Sequence, residues 1–111
     1  MGKFVIKRIT TGEYYFNLIA DNFQIILTSQ LNSSKLSCLE GIELVRNSCF
    51  YENYERRQTI DNKHYFVLKS ANGKVIGKSE MYSSKAGVEN GIESVKKNGN
   101  NTQFVEEEPY F

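Results

Sequence analysis

Apolar positions recur at helical spacing in two stretches of the chain. Val88, Gly91, Ile92 and Val95 form one stripe (i, i+3, i+4, i+7), while Glu89, Glu93, Lys96 and Lys97 point away from it. Cys38, Gly41, Ile42 and Val45 repeat that stripe 50 residues upstream. Ser33 to Ser83 and Ile42 to Ile92 show the same offset, so the pattern marks an internal duplication. A serine pair precedes each run, Ser33-Ser34 and Ser83-Ser84, where a hydroxyl can accept from the first unpaired helical amides. Asn98-Gly99 reads as the stop of the second helix. A glycine inside a helix costs about 1 kcal/mol relative to alanine, so Gly41 and Gly91 on the buried stripe predict close approach to a packed sheet.

Between these stretches the alternation has period two. Phe4 to Ile9 predicts a first strand, turned by Thr10-Thr11-Gly12. Glu13 to Ala20 predicts a second, with Tyr14, Phe16 and Leu18 on one face and Tyr15, Asn17 and Ile19 on the other. Asp21-Asn22 turns into a third, Gln24 to Ser29. In the second copy the expected strands are Phe50 to Gln58, His64 to Ser70 and Lys74 to Ser79. Asp61-Asn62 and Asn72-Gly73 take the turns, the latter as a two-residue turn with positive backbone angles. Thr102 to Val105 reads as a last strand, ended by Glu106-Glu107-Glu108-Pro109. A unit of roughly 50 residues buries too little surface to stand alone. The two repeats, about 1–50 and 51–111, are therefore expected to share one core as a single domain. The predicted fold is α+β: one curved antiparallel sheet of about seven strands, two helices on one face, and pseudo-twofold symmetry.

Composition narrows the picture without naming a function. The 111 residues are 40% hydrophobic and 24% charged, which fits a folded globular chain. A formal charge of +1 gives no field that would by itself draw a nucleic acid or a membrane. There is no signal-peptide pattern and no run near the roughly 18 apolar residues that a span needs, so the expected location is cytoplasmic. Cys38 and Cys49 lack metal-ligand spacing, and Cys38 sits on the buried stripe as a small hydrophobe. No structural disulfide, metal or cofactor is expected.

Both copies carry Tyr-Phe-x-Leu (Tyr15 to Leu18, Tyr65 to Leu68), a turn asparagine (Asn22, Asn72), Ser-Ser-Lys (Ser33 to Lys35, Ser83 to Lys85) and Gly-Ile-Glu-x-Val (Gly41 to Val45, Gly91 to Val95). With these motifs the chain resembles the YegP-like family of small uncharacterised bacterial proteins over nearly its whole length. The resemblance implies three strands, a helix and a further strand per repeat, assembled into one half-barrel sheet, and it implies no activity. The first repeat departs from the pattern: Phe23 replaces the turn glycine found at Gly73, and Asn32 replaces Tyr82. Leu36, Leu39 and Leu44 stand where the second copy has Ala86, Glu89 and Ser94.

The candidate sites follow from residue type. Ser33, Ser34 and Lys35, with Ser83, Ser84 and Lys85, offer anion binding at the helix starts, against simple capping. Tyr15, Tyr54 and Tyr65 with Arg56 and Arg57 offer a sheet face on which single-stranded nucleic acid could stack, against ordinary strand packing. Leu36 and Leu39 form an apolar strip for another subunit, unless the tail residues Tyr110 and Phe111 cover it. His64 is the only histidine, and no Gly-x-Ser-x-Gly turn presents a serine nucleophile. The expected function is a non-catalytic binding or interaction protein of unknown partner. Single-strand nucleic-acid binding is the alternative, and a small enzyme comes third.

Overall fold

The computed structural model describes residues 2–48, 53–100 and 105–107. The first repeat supplies β1 (Lys3–Arg8), β2 (Tyr14–Ile19), β3 (Ile25–Ser29) and α1 (Lys35–Ser48). The second supplies β4 (Tyr54–Gln58), β5 (His64–Lys69), β6 (Val75–Lys78) and α2 (Lys85–Gly99), and β7 (Val105–Glu107) follows. All seven strands join one sheet in the order β4-β5-β6-β3-β2-β1-β7. Two three-stranded meanders thus meet at β3 and β6, where the pseudo-twofold relates one repeat to the other. Six strands are antiparallel, as expected, but β7 runs parallel to β1. Its acidic residues Glu106 and Glu107 lie within the strand instead of ending it. The expected strand residues Phe50 to Glu52 and Thr102 to Phe104, and Cys49, lie outside the described residues.

Both predicted helical stripes face the core, with Gly41 half-buried. Cys38, Ile42 and Val45 from α1 and Val88, Ile92 and Val95 from α2 pack in one cluster with Phe4, Phe16, Leu18, Leu27, Phe66 and Leu68 from the sheet. Each buried aliphatic side chain contributes about 1.5–3 kcal/mol of transfer free energy, so the cluster is the main source of stability. The glycines of the stripes do meet the sheet: a Cβ on Gly41 would lie 3.1 Å from Phe16 Cε2, and one on Gly91 the same 3.1 Å from Phe66 Cε1.

The symmetry is broken at the axis by size. Leu27 is buried, and its counterpart 50 residues on is Gly77. A Cβ at Gly77 would sit 2.8 Å from the Thr28 carbonyl oxygen and 3.2 Å from Leu27 Cγ. A side chain at position 77 would press first on the Thr28 backbone and then on Leu27. Matching hydroxyls secure each meander: Phe16 N donates to Ser29 Oγ at 2.9 Å and Phe66 N to Ser79 Oγ at 3.0 Å.

The turns differ in detail from expectation. Gly73 has a positive φ of 85°, but Asn72 does not, and the loop closes through Gly73 N to Ser70 O (2.9 Å) and Ser70 N to Lys74 O (2.8 Å). Asn72 instead accepts from Lys74 N through its side chain at 3.2 Å, so it acts as a side-chain turn former. Phe23, in the place of Gly73, holds a φ of 66°, a conformation bulky residues rarely adopt. Helix α2 runs through Gly99 with Asn100 as its cap in the right-handed region, so Asn98-Gly99 is the last turn and not the stop. Asn98 is buried there, donating to Ser94 O at 2.8 Å.

Candidate functional site

Strand β7 covers the free side of β1, pairing Val105 with Phe4 and Glu107 with Ile6. The Glu107 carboxylate forms an ion pair with Lys35, the first residue of α1, and this pair, with a smaller contribution from Tyr14, raises the Lys35 pKa. In the first repeat, then, an extended acidic strand fills the space between a sheet edge and a helix start.

Among the described residues, the second repeat presents the same frame with no strand in it. Among the described residues β4, the counterpart of β1, pairs only with β5. Beside it lies a cleft of about 330 Å³, lined by Arg56, Gln58, His64, Lys85, Val88 and Glu89, with Arg57 at its border. By the offset, Lys85 stands for Lys35, His64 for Tyr14, Gln58 for Arg8 and Arg56 for Ile6. Ile6 is 1% exposed, whereas the Arg56 side chain is 47% exposed. Arg56 donates to Glu89 through Nε (2.7 Å) and Nη2 (2.8 Å), and this fork holds the Glu89 carboxyl below the usual carboxylate range. Lys85 has no carboxylate partner among the described residues.

The predicted site residues are distributed as follows. Ser34 and Ser84 cap the helices, their Oγ atoms accepting from Ser37 N (3.1 Å) and Gly87 N (3.0 Å). Ser33 and Ser83 are exposed beside them. Tyr15 and Tyr65 do lie on the sheet face away from the helices, with Lys7 and Arg57 at the same level. Arg57 is paired with Glu55, which Lys69 also holds at 2.9 Å, and the Glu55 carboxyl is lowered by Lys69 and then by Arg57. Lys78 Nζ lies 5.6 Å from the centre of the Tyr65 ring. Two expected members of that face are elsewhere. Tyr54 is 6% exposed, inside the core, edge-on to Phe66 at 5.7 Å. Arg56 projects to the helix side, to Glu89. The reason is the strand alternation set by the duplication: Tyr54 and Arg56 occupy the inward positions of Phe4 and Ile6.

Leu36 and Leu39 are exposed, at 68% and 37%, and the tail residues Tyr110 and Phe111 lie outside the described residues. A second cavity of about 540 Å³ opens by α1, bordered by Phe16, Asn32, Ser37, Gly41, Leu44 and Ile76. It marks the missing tyrosine: in the other repeat the Tyr82 ring packs against Gly87 and Gly91, and burial raises its pKa. Glu107 as the occupant of the β1 edge was not predicted. The available signal was the exchange of apolar Ile6 and Leu39 for the opposite charges Arg56 and Glu89 at equivalent positions.

The family described as "Domain of unknown function (DUF1508)" matches residues 10–55 and again residues 60–106. The chain belongs to this family. It is 46% identical over 64 residues to the UPF0339 protein YegP of Yersinia pestis, a match spanning 57% of each chain. The UPF0339 protein PA0329 of Pseudomonas aeruginosa is 52% identical over 44 residues, or 40% of each. The chain thus matches under two thirds of the length of these relatives. Two solved structures superpose over 96% of the chain. The UPF0339 protein SO3888 of Shewanella oneidensis does so with a TM-score of 0.90 and 37% identity, covering 90% of that protein. The protein of unknown function YegP of E. coli gives 0.89 and 40%, covering 91%. The tandem α+β fold is therefore shared with this family, which is described as a domain of unknown function. Among the described residues no helix is long and apolar enough to cross a membrane.

Proposed function

We propose that this DUF1508 chain is a non-catalytic binding protein that holds an acidic ligand in the cleft between β4 and α2. The observation that carries this reading is Lys85, a cation without a carboxylate partner among the described residues, in the place where Lys35 holds Glu107. Among the described residues, the side chains bordering the cleft are cationic, amide, imidazole, aliphatic and one paired carboxylate, with no hydroxyl or thiol nucleophile among them. A cytoplasmic setting suits Cys38, a free thiol with 0% exposure. Backbone amide shifts of the isotope-labelled chain, recorded against an acidic peptide, test the reading. The expected result is saturable movement of His64, Lys85 and Val88 that a neutral glutamine version of the peptide does not produce. No movement at millimolar peptide refutes it.

A second reading, single-stranded nucleic acid on the opposite face, draws on Tyr15 and Tyr65 sharing that face with Lys7 and Arg57. Salt-dependent retention on a single-stranded oligonucleotide, lost in Arg57→Ala, is its expected signature, and no retention at low salt removes it.

A further inference from the structure

We infer that the acidic ligand is an extended protein segment that adds to the sheet as an eighth strand, parallel to β4, with a glutamate or aspartate reaching Lys85. This rests on the cleft being the binding site and goes beyond it by stating the ligand's conformation, direction and register. The chain contains its own template. Across the pseudo-twofold, β1 and α1 already hold such a segment: Val105 opposite Phe4, Glu107 opposite Ile6, running parallel, its carboxylate on Lys35. Carried over by the 50-residue offset, the incoming strand sets an apolar residue opposite Tyr54 and an acidic one opposite Arg56, where Lys85 is in the place of Lys35. Main-chain pairing supplies affinity and the side-chain pocket supplies selectivity, as in other strand-addition complexes.

Charge explains why the segment comes from a partner. The chain's own β7 is already used on β1, so lending it to a second copy opens one edge for each one it covers. Two β4 edges meeting antiparallel about Arg56 would oppose one arginine to its copy. An acidic segment meets Arg56, Arg57 and Lys85, and the Arg56–Glu89 fork leaves Lys85 as the cation to be neutralised. The charged pair also keeps an unoccupied edge from unselective pairing, which the buried Ile6 of the covered edge does not need to do.

The probe is a synthetic peptide, Thr-Gln-Phe-Val-Glu-Glu-Glu, copied from residues 102–108, added to the intact labelled chain. The expected result is saturable shifts in Tyr54–Gln58 and Lys85–Glu89, with slowed hydrogen exchange of β4 amides. A spin label on the peptide's amino end should broaden the Tyr54 end of β4, and one on its carboxyl end the Gln58 end. Lys85→Glu is exposed, sits in the first helical turn where an acid is favourable, and should weaken binding by about fivefold or more. Shifts at Lys85 without new β4 protection, or with the labels reversed, overturn the parallel strand while leaving the acidic-ligand cleft standing. Shifts confined to β1, from exchange with the chain's own β7, overturn it too, as do concentration-dependent β4 shifts without peptide, which indicate a second copy. No shift anywhere overturns both this inference and the cleft.

Discussion

The duplication provides an internal control for one packing claim. Gly41 and Gly91 are equivalent, each on the inner stripe of its helix, and each would place a Cβ 3.1 Å from a buried phenylalanine ring. Gly91 alone also meets Tyr82: its Cβ would lie 2.8 Å from Tyr82 Cζ and closer still to the hydroxyl oxygen. Substituting alanine gains about 1 kcal/mol of helix propensity at either site. The phenylalanine contact is common to both and cancels in the comparison, so the difference between Gly41→Ala and Gly91→Ala is the cost of displacing the tyrosine ring. Overpacking of this kind costs about 1–3 kcal/mol. Gly41→Ala is therefore expected near neutral or slightly stabilising, and Gly91→Ala destabilising. At about 4 °C per kcal/mol for a chain of this size, their Tm values should separate by about 4–12 °C, with urea midpoints moving in the same order. Repeating Gly91→Ala in a Tyr82→Asn background, which installs the residue of the first repeat, should bring its cost to that of Gly41→Ala. A coupling energy below about 0.5 kcal/mol in that cycle, or equal Tm values for the two single variants, would falsify the claim that Tyr82 sets the need for glycine.

Three further outcomes are expected. Phe23→Gly should stabilise the chain by about 1 kcal/mol, because Phe23 is 83% exposed and holds a positive φ that glycine adopts without strain; a drop in the urea midpoint would show that the ring packs on something. Gly77→Ala should cost about 1–3 kcal/mol, since its Cβ would press on a backbone oxygen that cannot swing aside, and an unchanged midpoint would mean β3 and β6 can separate freely. Burial pushes the Cys38 thiol up to about 11 from 9.0. A raised pKa means the stability tied to the neutral thiol is intact below pH 9 and is lost as pH rises toward 11, and labelling by a thiol reagent should follow global unfolding. Rapid labelling of Cys38 at pH 8 without denaturant would contradict its burial.

Much of the fold was legible because the repeat is written in residue types. The stripes through Ile42 and Ile92 and the alternation through Phe16 and Phe66 each specify one buried face, and two copies too small to stand alone imply a shared interior. Capping by Ser34 and Ser84 was equally local, since it needs only a hydroxyl three residues before an amide. The site was less legible. Tyr54 and Arg56 read as an aromatic and basic sheet face until their register with Phe4 and Ile6 placed one in the core and the other against Glu89. Glu107 read as the end of a strand, because nothing near it in the chain announces Lys35, 72 residues away.

What residue order alone determined was the set of elements, the inner faces of the two helices and of β2 and β5, and the doubling, all consequences of period and spacing within a few turns of chain. What tertiary structure decided was the asymmetry between the halves. The terminal strand β7 covers the edge of β1 and, among the described residues, a cationic cleft stands beside the corresponding strand β4. That choice depends on contacts between groups far apart in the chain, for which no local periodicity exists.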